Sequence, residues 1–354
     1  MAAGVGLGRV WPGLGSALGR WQIQSVSVPI AIGLLWMMYP VLAKVRYTRV
    51  GAVTRDWRVL LTALVLNWVI GPALMFALAW LMLPDEPAFR TGLIMVGLPR
   101  CIAMVLVWNQ LARGDNEYAA VLVALNALFQ VSVYAVLAFF YLNVLPGWLG
   151  LAQQSVSVSI ATVAMMVAIF LGVPLVSGFL TRVVLVRRRG EEWYETRFIA
   201  KIGPKAIWGL LFTIVVMFTL KGDTITSIPF SVLRIALPLL AYFGMMFSIA
   251  MLGSRGLGFS YEKSATLSFT AASNDFELAI AVTVAVFGIG SGQALAAVVG
   301  PLVEVPVLLA LVYVALWARR RLFAAQHAAP MPLPGSVTSR VSTPKTAEPT
   351  DGLP

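Results

Sequence analysis

Four ionisable side chains and one thiol stand inside runs that are otherwise apolar: Arg100, Asp275, Glu277, Glu304 and Cys101. Charge at membrane depth is costly, so each is a functional candidate once its run is long enough to span a bilayer. Cys101 offers a soft ligand or acts as a small buried hydrophobe. Glu277 and Glu304 can carry protons or cations, or can hydrogen-bond broken backbone or pair with Arg100. Arg100 in turn can neutralise them. Asp275 and Glu277, two residues apart, suit either a cation site or a structural cap. Arg234 lies near enough to the end of its run to snorkel to the interface.

The local sequence at two of these points breaks helices. Gly97-Leu98-Pro99-Arg100-Cys101 contains a proline that lacks a backbone donor and disfavours helix at Leu98. Ser273, Asn274 and Asp275, within Ala271-Ala272-Ser273-Asn274-Asp275, compete for backbone partners. Interrupted helices in corresponding positions of two halves mark the midplane site of a transporter.

The elements that must hold these residues are membrane helices. The 354-residue chain is 59% hydrophobic and 12% charged, with a mean hydropathy of +0.86. Nine runs reach spanning length: 22–43, 57–83, 91–112, 118–141, 156–181, 204–220, 230–252, 261–287 and 295–318. Without water to satisfy free backbone such runs are helical, so the fold class expected is an all-α polytopic membrane protein. The third run descends where the eighth ascends, as an inverted repeat requires. A faint echo supports this: Ile102-Ala103-Met104-Val105 before Ala119-Ala120-Val121, and Leu278-Ala279-Ile280-Ala281 before Ala296-Ala297-Val298.

The net charge of +11 does not indicate nucleic acid, because the cations sit in short gaps between apolar runs rather than on a solvated face. Gaps one, three, five and seven and the C-terminal flank hold 18 Lys and Arg, whereas the alternate gaps hold only Arg90 and Lys221. That bias places the C-terminus in the cytoplasm. Nine spans would then leave residue 1 outside, and residues 1–21 read as the remnant of a first helix rather than a signal peptide. From residue 324 to 354 the composition shifts to Ala, Pro, Ser and Thr, as in a disordered tail. A single cysteine without a Cys or His cluster excludes a structural zinc site. No constellation suited to catalysis is visible, so neither enzymatic activity nor a cofactor is expected.

Taken together, Met37-Met38-Tyr39-Pro40-Val41-Leu42-Ala43-Lys44, Arg100-Cys101-Ile102-Ala103-Met104-Val105, Gly114-Asp115-Asn116-Glu117-Tyr118, Ser268-Phe269-Thr270-Ala271-Ala272-Ser273-Asn274, Phe276-Glu277-Leu278-Ala279 and Gly300-Pro301-Leu302-Val303-Glu304-Val305-Pro306 resemble the arsenite permease family. That family lies within the bile acid, arsenite and riboflavin transporter superfamily. The resemblance implies ten helices in two inverted five-helix repeats, here with the first helix shortened. Repeat one would run to about residue 150 and repeat two over about 156–321, within a transporter domain of residues 22–323. It also implies plasma-membrane efflux of arsenite, sometimes antimonite, in exchange for protons. The family's essential cysteine falls on Cys101 and its essential glutamate on Glu277, and Glu304 occupies a usually acidic position. Asp275 departs from the usual Asn.

Arsenite is a neutral trihydroxide with a thiophilic centre, so the Cys101 thiolate is its apt ligand, while Glu277, Asn274 and Ser273 suit its hydroxyls. Burial makes the charged carboxylate of Glu277 costly, allowing it to alternate between proton and substrate. The rival readings are a sodium-coupled organic anion symporter, which needs no Cys101, and a membrane sensor acting through its tail.

Overall fold

The computed structural model describes Gly6 and residues 22–23, 26–45, 56–151, 159–206, 208–209, 211–213, 215–216, 219, 229–288 and 290–324. Apart from Gly6 the expected first-helix remnant, and apart from Ala324 the expected tail with His327, lie outside these residues, as does Lys221.

Among the described residues the regular elements are helices, apart from a minute hairpin of β1 (Gln22–Ile23) and β2 (Val26–Ser27). The first helix therefore starts later than its apolar run suggests. Helix α1 spans Val28–Ala43, where Pro29 has the fixed φ suited to a first turn. Helix α2 covers Trp57–Met82 with a wider π turn at Leu66–Ile70. The third run divides into α3 (Pro87–Gly97) and α4 (Val105–Leu111), interrupted around Pro99 as its sequence requires.

Helix α5 (Asn116–Trp148) starts two residues before its run, where Asp115 caps it by accepting from the backbone N–H groups of Glu117 and Tyr118, and continues past Tyr141 through a π turn at Phe140–Val144. Helix α6 (Ile160–Arg189) extends eight residues beyond Thr181, since Val183, Val184, Leu185 and Val186 continue the apolar pattern until Gly190 at φ 85° ends it. Residues 191–202, read from sequence as part of a gap between apolar runs, instead form a helical elbow, α7. Its Tyr194 hydroxyl donates to the Ala43 carbonyl, and its glutamates Glu191 and Glu195 bind Arg182 at 3.1 and 3.0 Å.

Helix α8 (Pro229–Gly256) precedes the second broken pair, α9 (Tyr261–Ala272) and α10 (Phe276–Phe287). Helix α11 (Gly292–Leu322) completes the described bundle. Ser260, Asp275 and Ser291 cap α9, α10 and α11 in turn. Five of the helices are long and apolar enough to cross a membrane, and many large apolar side chains on their outer faces are exposed. With lipid as solvent that exposure is stable, and the protein is a multi-pass membrane protein.

Two packed groups are evident. Helices α2, α3, α8, α9, α10 and α11 form one, with α5 against α9; α1 packs on α6, and the first half of α6 in turn packs against α5 and α10, joining the two. One end of the bundle gathers the basic gaps: Lys263 binds Asp56 at 2.6 Å, Arg319 binds Glu262 at 3.7 Å and Arg58 donates to the Leu257 carbonyl. The Lys263 ammonium holds the Asp56 carboxyl below the usual carboxylate range. At the other end Arg234 pairs with Asp85 and Glu86, so it reaches the loop between α2 and α3 rather than only the interface.

Glycines let helices touch where no side chain fits. A Cβ at Gly178 of α6 would stand 2.8 Å from the Ala43 nitrogen, and one at Gly92 of α3 would stand 2.6 Å from the Gln293 carbonyl oxygen of α11. Both obstacles are backbone and cannot rotate away. Gly178→Ala and Gly92→Ala are each expected to destabilise the protein by about 1–3 kcal/mol, the usual cost of overpacking, read as a lower melting temperature in detergent.

Candidate functional site

The two interruptions meet. Arg100 and Asn274 form an isolated antiparallel bridge in which the Cys101 N–H donates to the Ser273 carbonyl at 3.3 Å and the Asp275 N–H to the Pro99 carbonyl at 3.1 Å. Backbone groups freed by breaking each helix are thus satisfied by the other, at a depth where water is scarce. Cys101, Asn274, Ser273, Asp275 and Glu277 are brought to one crossing, and Glu304 joins them from α11 by accepting from the Asn274 N–H at 3.2 Å.

Arg100 is 0% exposed and does not neutralise the carboxylates by ion pairing: among the described residues it makes no salt bridge. Its guanidinium donates to the Gly97 carbonyl at the end of α3, to the Ala271 carbonyl near the end of α9 at 2.9 Å, and to the Tyr242 hydroxyl. One cation therefore caps both half-helices, where their dipoles are negative. Tyr242 adds a bond to Asn274 Oδ1 at 3.4 Å. Asp275 serves as the cap of α10, its Oδ1 accepting from the Leu278 N–H at 3.0 Å, and its Oδ2 accepts from Gln130 at 3.4 Å. Glu277 follows two residues later in the first turn of α10, so the two carboxyls act on each other electrostatically. The Ser273 hydroxyl donates to the Phe269 carbonyl, so lone pairs are what it has left to offer.

A cavity of about 610 Å³ lies between the two helix groups. Met37 and Val41 of α1, with Lys44 just beyond it, face Ala103 and Met104 of the unwound segment and Val107 and Gln110 of α4, with Glu195 and Ile199 of the elbow and Gly203 just after it. Glu277 is the acidic side chain at its inner end, half-buried where Asp275 and Glu304 are buried. Cys101 is 3% exposed and does not line the cavity, which reaches the glutamate and stops short of the thiol.

The chain matches the Sodium Bile acid symporter family over residues 31–228. An arsenical-resistance protein Acr3 of Corynebacterium glutamicum is 52% identical over 323 residues, 91% of this chain and 87% of the relative. The chain belongs to this family, among its arsenical-resistance proteins. Another Acr3, of Alkaliphilus metalliredigens, is 35% identical, with 87% of each chain aligned. An uncharacterised transporter of Synechocystis sp. is also 35% identical, over 87% of this chain and 83% of the relative.

Family members are transporters, and this one carries side chains at the crossing that a search confined to charged residues misses. Tyr242, Gln130 and the elbow were not singled out by sequence. A buried amide amid alanines and leucines, as at Asn126 and Gln130, was the available signal.

Replacing Arg100 with lysine leaves one ammonium to serve two helix ends. Arg100→Lys is expected to cost roughly 2–3 kcal/mol, the scale of a hydrogen bond to a charged group, seen as a lower melting temperature together with lost transport.

Proposed function

We propose that this protein exports arsenite across the plasma membrane in exchange for protons and so confers arsenic resistance. The observation that carries this reading is the convergence of one soft thiol with the carboxyls of Asp275, Glu277 and Glu304 where two unwound segments cross, in a chain 52% identical to an arsenical-resistance protein. Antimonite, of similar chemistry, is a second substrate.

In the proposed cycle arsenite enters the cavity as a neutral trihydroxide. The basic gaps at the end of the bundle that holds Lys44 and Arg319 are cytoplasmic by the positive-inside rule, so the cavity opens inward and the C-terminus is cytoplasmic. Condensation of Cys101 with arsenite forms one S–As bond and releases the thiol proton and one hydroxide as water. A single thiolate holds arsenic reversibly, whereas three would retain it. Reaching Cys101 from a cavity that ends at Glu277 requires the two helix groups to shift. Glu277, Asn274 and the Ser273 oxygen lone pairs receive the remaining hydroxyls. Glu277 is charged on one side of the cycle and protonated on the other, because an unpaired carboxylate is expensive at membrane depth. Asp275, Glu304 and Arg100 set the charge balance around it, Arg100 through the helix ends it caps.

A sodium-coupled organic anion symporter is the second reading, favoured by the family's description. Everted vesicles under an imposed proton gradient separate the two. Arsenite uptake is expected to follow the proton gradient and to fall by roughly tenfold or more, at least 1.4 kcal/mol, in both Cys101→Ser and Glu277→Gln. Uptake driven by sodium and indifferent to Cys101 establishes the symporter instead.

A further inference from the structure

On the face of the crossing away from the cavity, a chain of buried amides leads to Asp275. Asn67, in the π turn of α2, donates to Asn126 Oδ1 of α5 at 3.2 Å. Gln130 stands one turn further along α5, on the same face, and donates to Asp275. All four residues are at most 2% exposed. Yet Asn67 Oδ1, Asn126 Nδ2 and Gln130 Oε1 have no hydrogen-bond partner in the protein. Unpaired amide atoms at such depth are costly, and three on adjacent rungs leave polar valence that one guest could satisfy.

The guest's chemistry follows from what is left over. Whichever way round two amides are set, a single mutual bond leaves one carbonyl oxygen and one NH2 group without a partner. A bare cation would be served by the oxygens and repelled by the N–H dipole, whereas water accepts from the one and donates to the others. None of Asn67, Asn126, Gln130 or Asp275 lines the 610 Å³ cavity, which Glu277 does line. Glu277 thus faces the cavity and Asp275 the buried amides.

We propose that Asn67, Asn126 and Gln130 hold water against Asp275, and that Asp275 relays protons between this water and Glu277 while arsenite occupies the cavity. A hydronium ion in the ladder gives its proton to the Asp275 carboxylate and becomes water. The Asp275 O–H then breaks as a new O–H forms on Glu277, and the return path runs in reverse. No other reactant is needed. The ionisable groups facing Asp275 are Glu277 from its own helix, Glu304 from α11, Tyr134 from α5 and Cys101 from the facing unwound segment. Arg100 directs its bonds to helix ends and Tyr242. Two close carboxyls disfavour ionising together, so a proton held between them passes readily from one to the other.

The proposal rests on the arsenite–proton exchange above, and two fluxes in proteoliposomes separate the claims. Arsenite counterflow, in which bound arsenite returns for another, needs no proton step; net flux against a proton gradient does. Gln130→Met and Asn126→Leu are expected to retain counterflow while net flux falls roughly tenfold or more, the lower range for losing a positioned proton-transfer group. Asp275→Asn should lose net flux likewise. Asn126→Ser, which leaves room for water, should keep it. Equal loss of both fluxes in Gln130→Met and Asn126→Leu, with Asn126→Ser no better, makes the ladder structural and overturns the relay. Unchanged net flux in Asp275→Asn overturns it as well, as does net flux of the unaltered protein that requires sodium. Absence of arsenite counterflow in the unaltered protein overturns the exchange reading itself and the relay with it.

Discussion

A helix interrupted inside a bilayer exposes backbone N–H and C=O groups that lipid cannot satisfy, and two such interruptions near one another are tolerable only if they satisfy each other. Here Pro99 and Ser273 exchange carbonyl acceptance for the N–H groups of Asp275 and Cys101, and Arg100 closes the ends of both preceding half-helices. A guanidinium suits this task because its planar fork donates in several directions at once from one fixed charge. The cation is thereby spent on backbone carbonyls rather than on Glu277 or Glu304, which leaves the carboxyls at the crossing free to change their protonation.

The crossing sets the chemistry on both of its sides. Breaking the helix at Ser273 places Asp275 as the cap of α10 and Glu277 in its first turn, so two carboxyls start one helix where its dipole favours negative charge. They diverge from there: one is at the end of a cavity bounded by α1, α4 and the elbow, the other against amides of α5. Glu304 reaches the same backbone from α11. In the proposed exchange this separation allows metalloid and proton to approach along different routes while sharing one electrostatic centre.

The elbow at residues 191–202 shows how a connecting segment joins the site. Its tyrosine and glutamates fix it to α1 and α6, so the wall it gives to the cavity is held by the same helices that face the crossing. The elbow and α1 thus bound the approach to Glu277, while the bonds around Arg100 lie on the other side of the crossing segment.

Much of this was legible in the sequence because membrane burial is a severe filter. Apolar run lengths fix the helices, Pro99 and the Ser273-Asn274-Asp275 triplet fix the breaks, and ionisable residues so deep in lipid must be held by something. Boundaries were less legible, since the cap at Asp115 and the π turn at Phe140–Val144 lengthen α5 at its two ends and termination waits until Gly190 in α6. The N-terminal remnant and the tail fall outside the described residues. What only the tertiary structure decided is who meets whom. Arg100 had carboxylates as its natural partners by charge, and the fold gave it carbonyls, because two helix ends lie nearer to it and cannot be solvated. Asn67, Asn126 and Gln130 carry no charge and no motif. Their meeting with Asp275 depends on the register of three separate segments, which no one-dimensional pattern encodes.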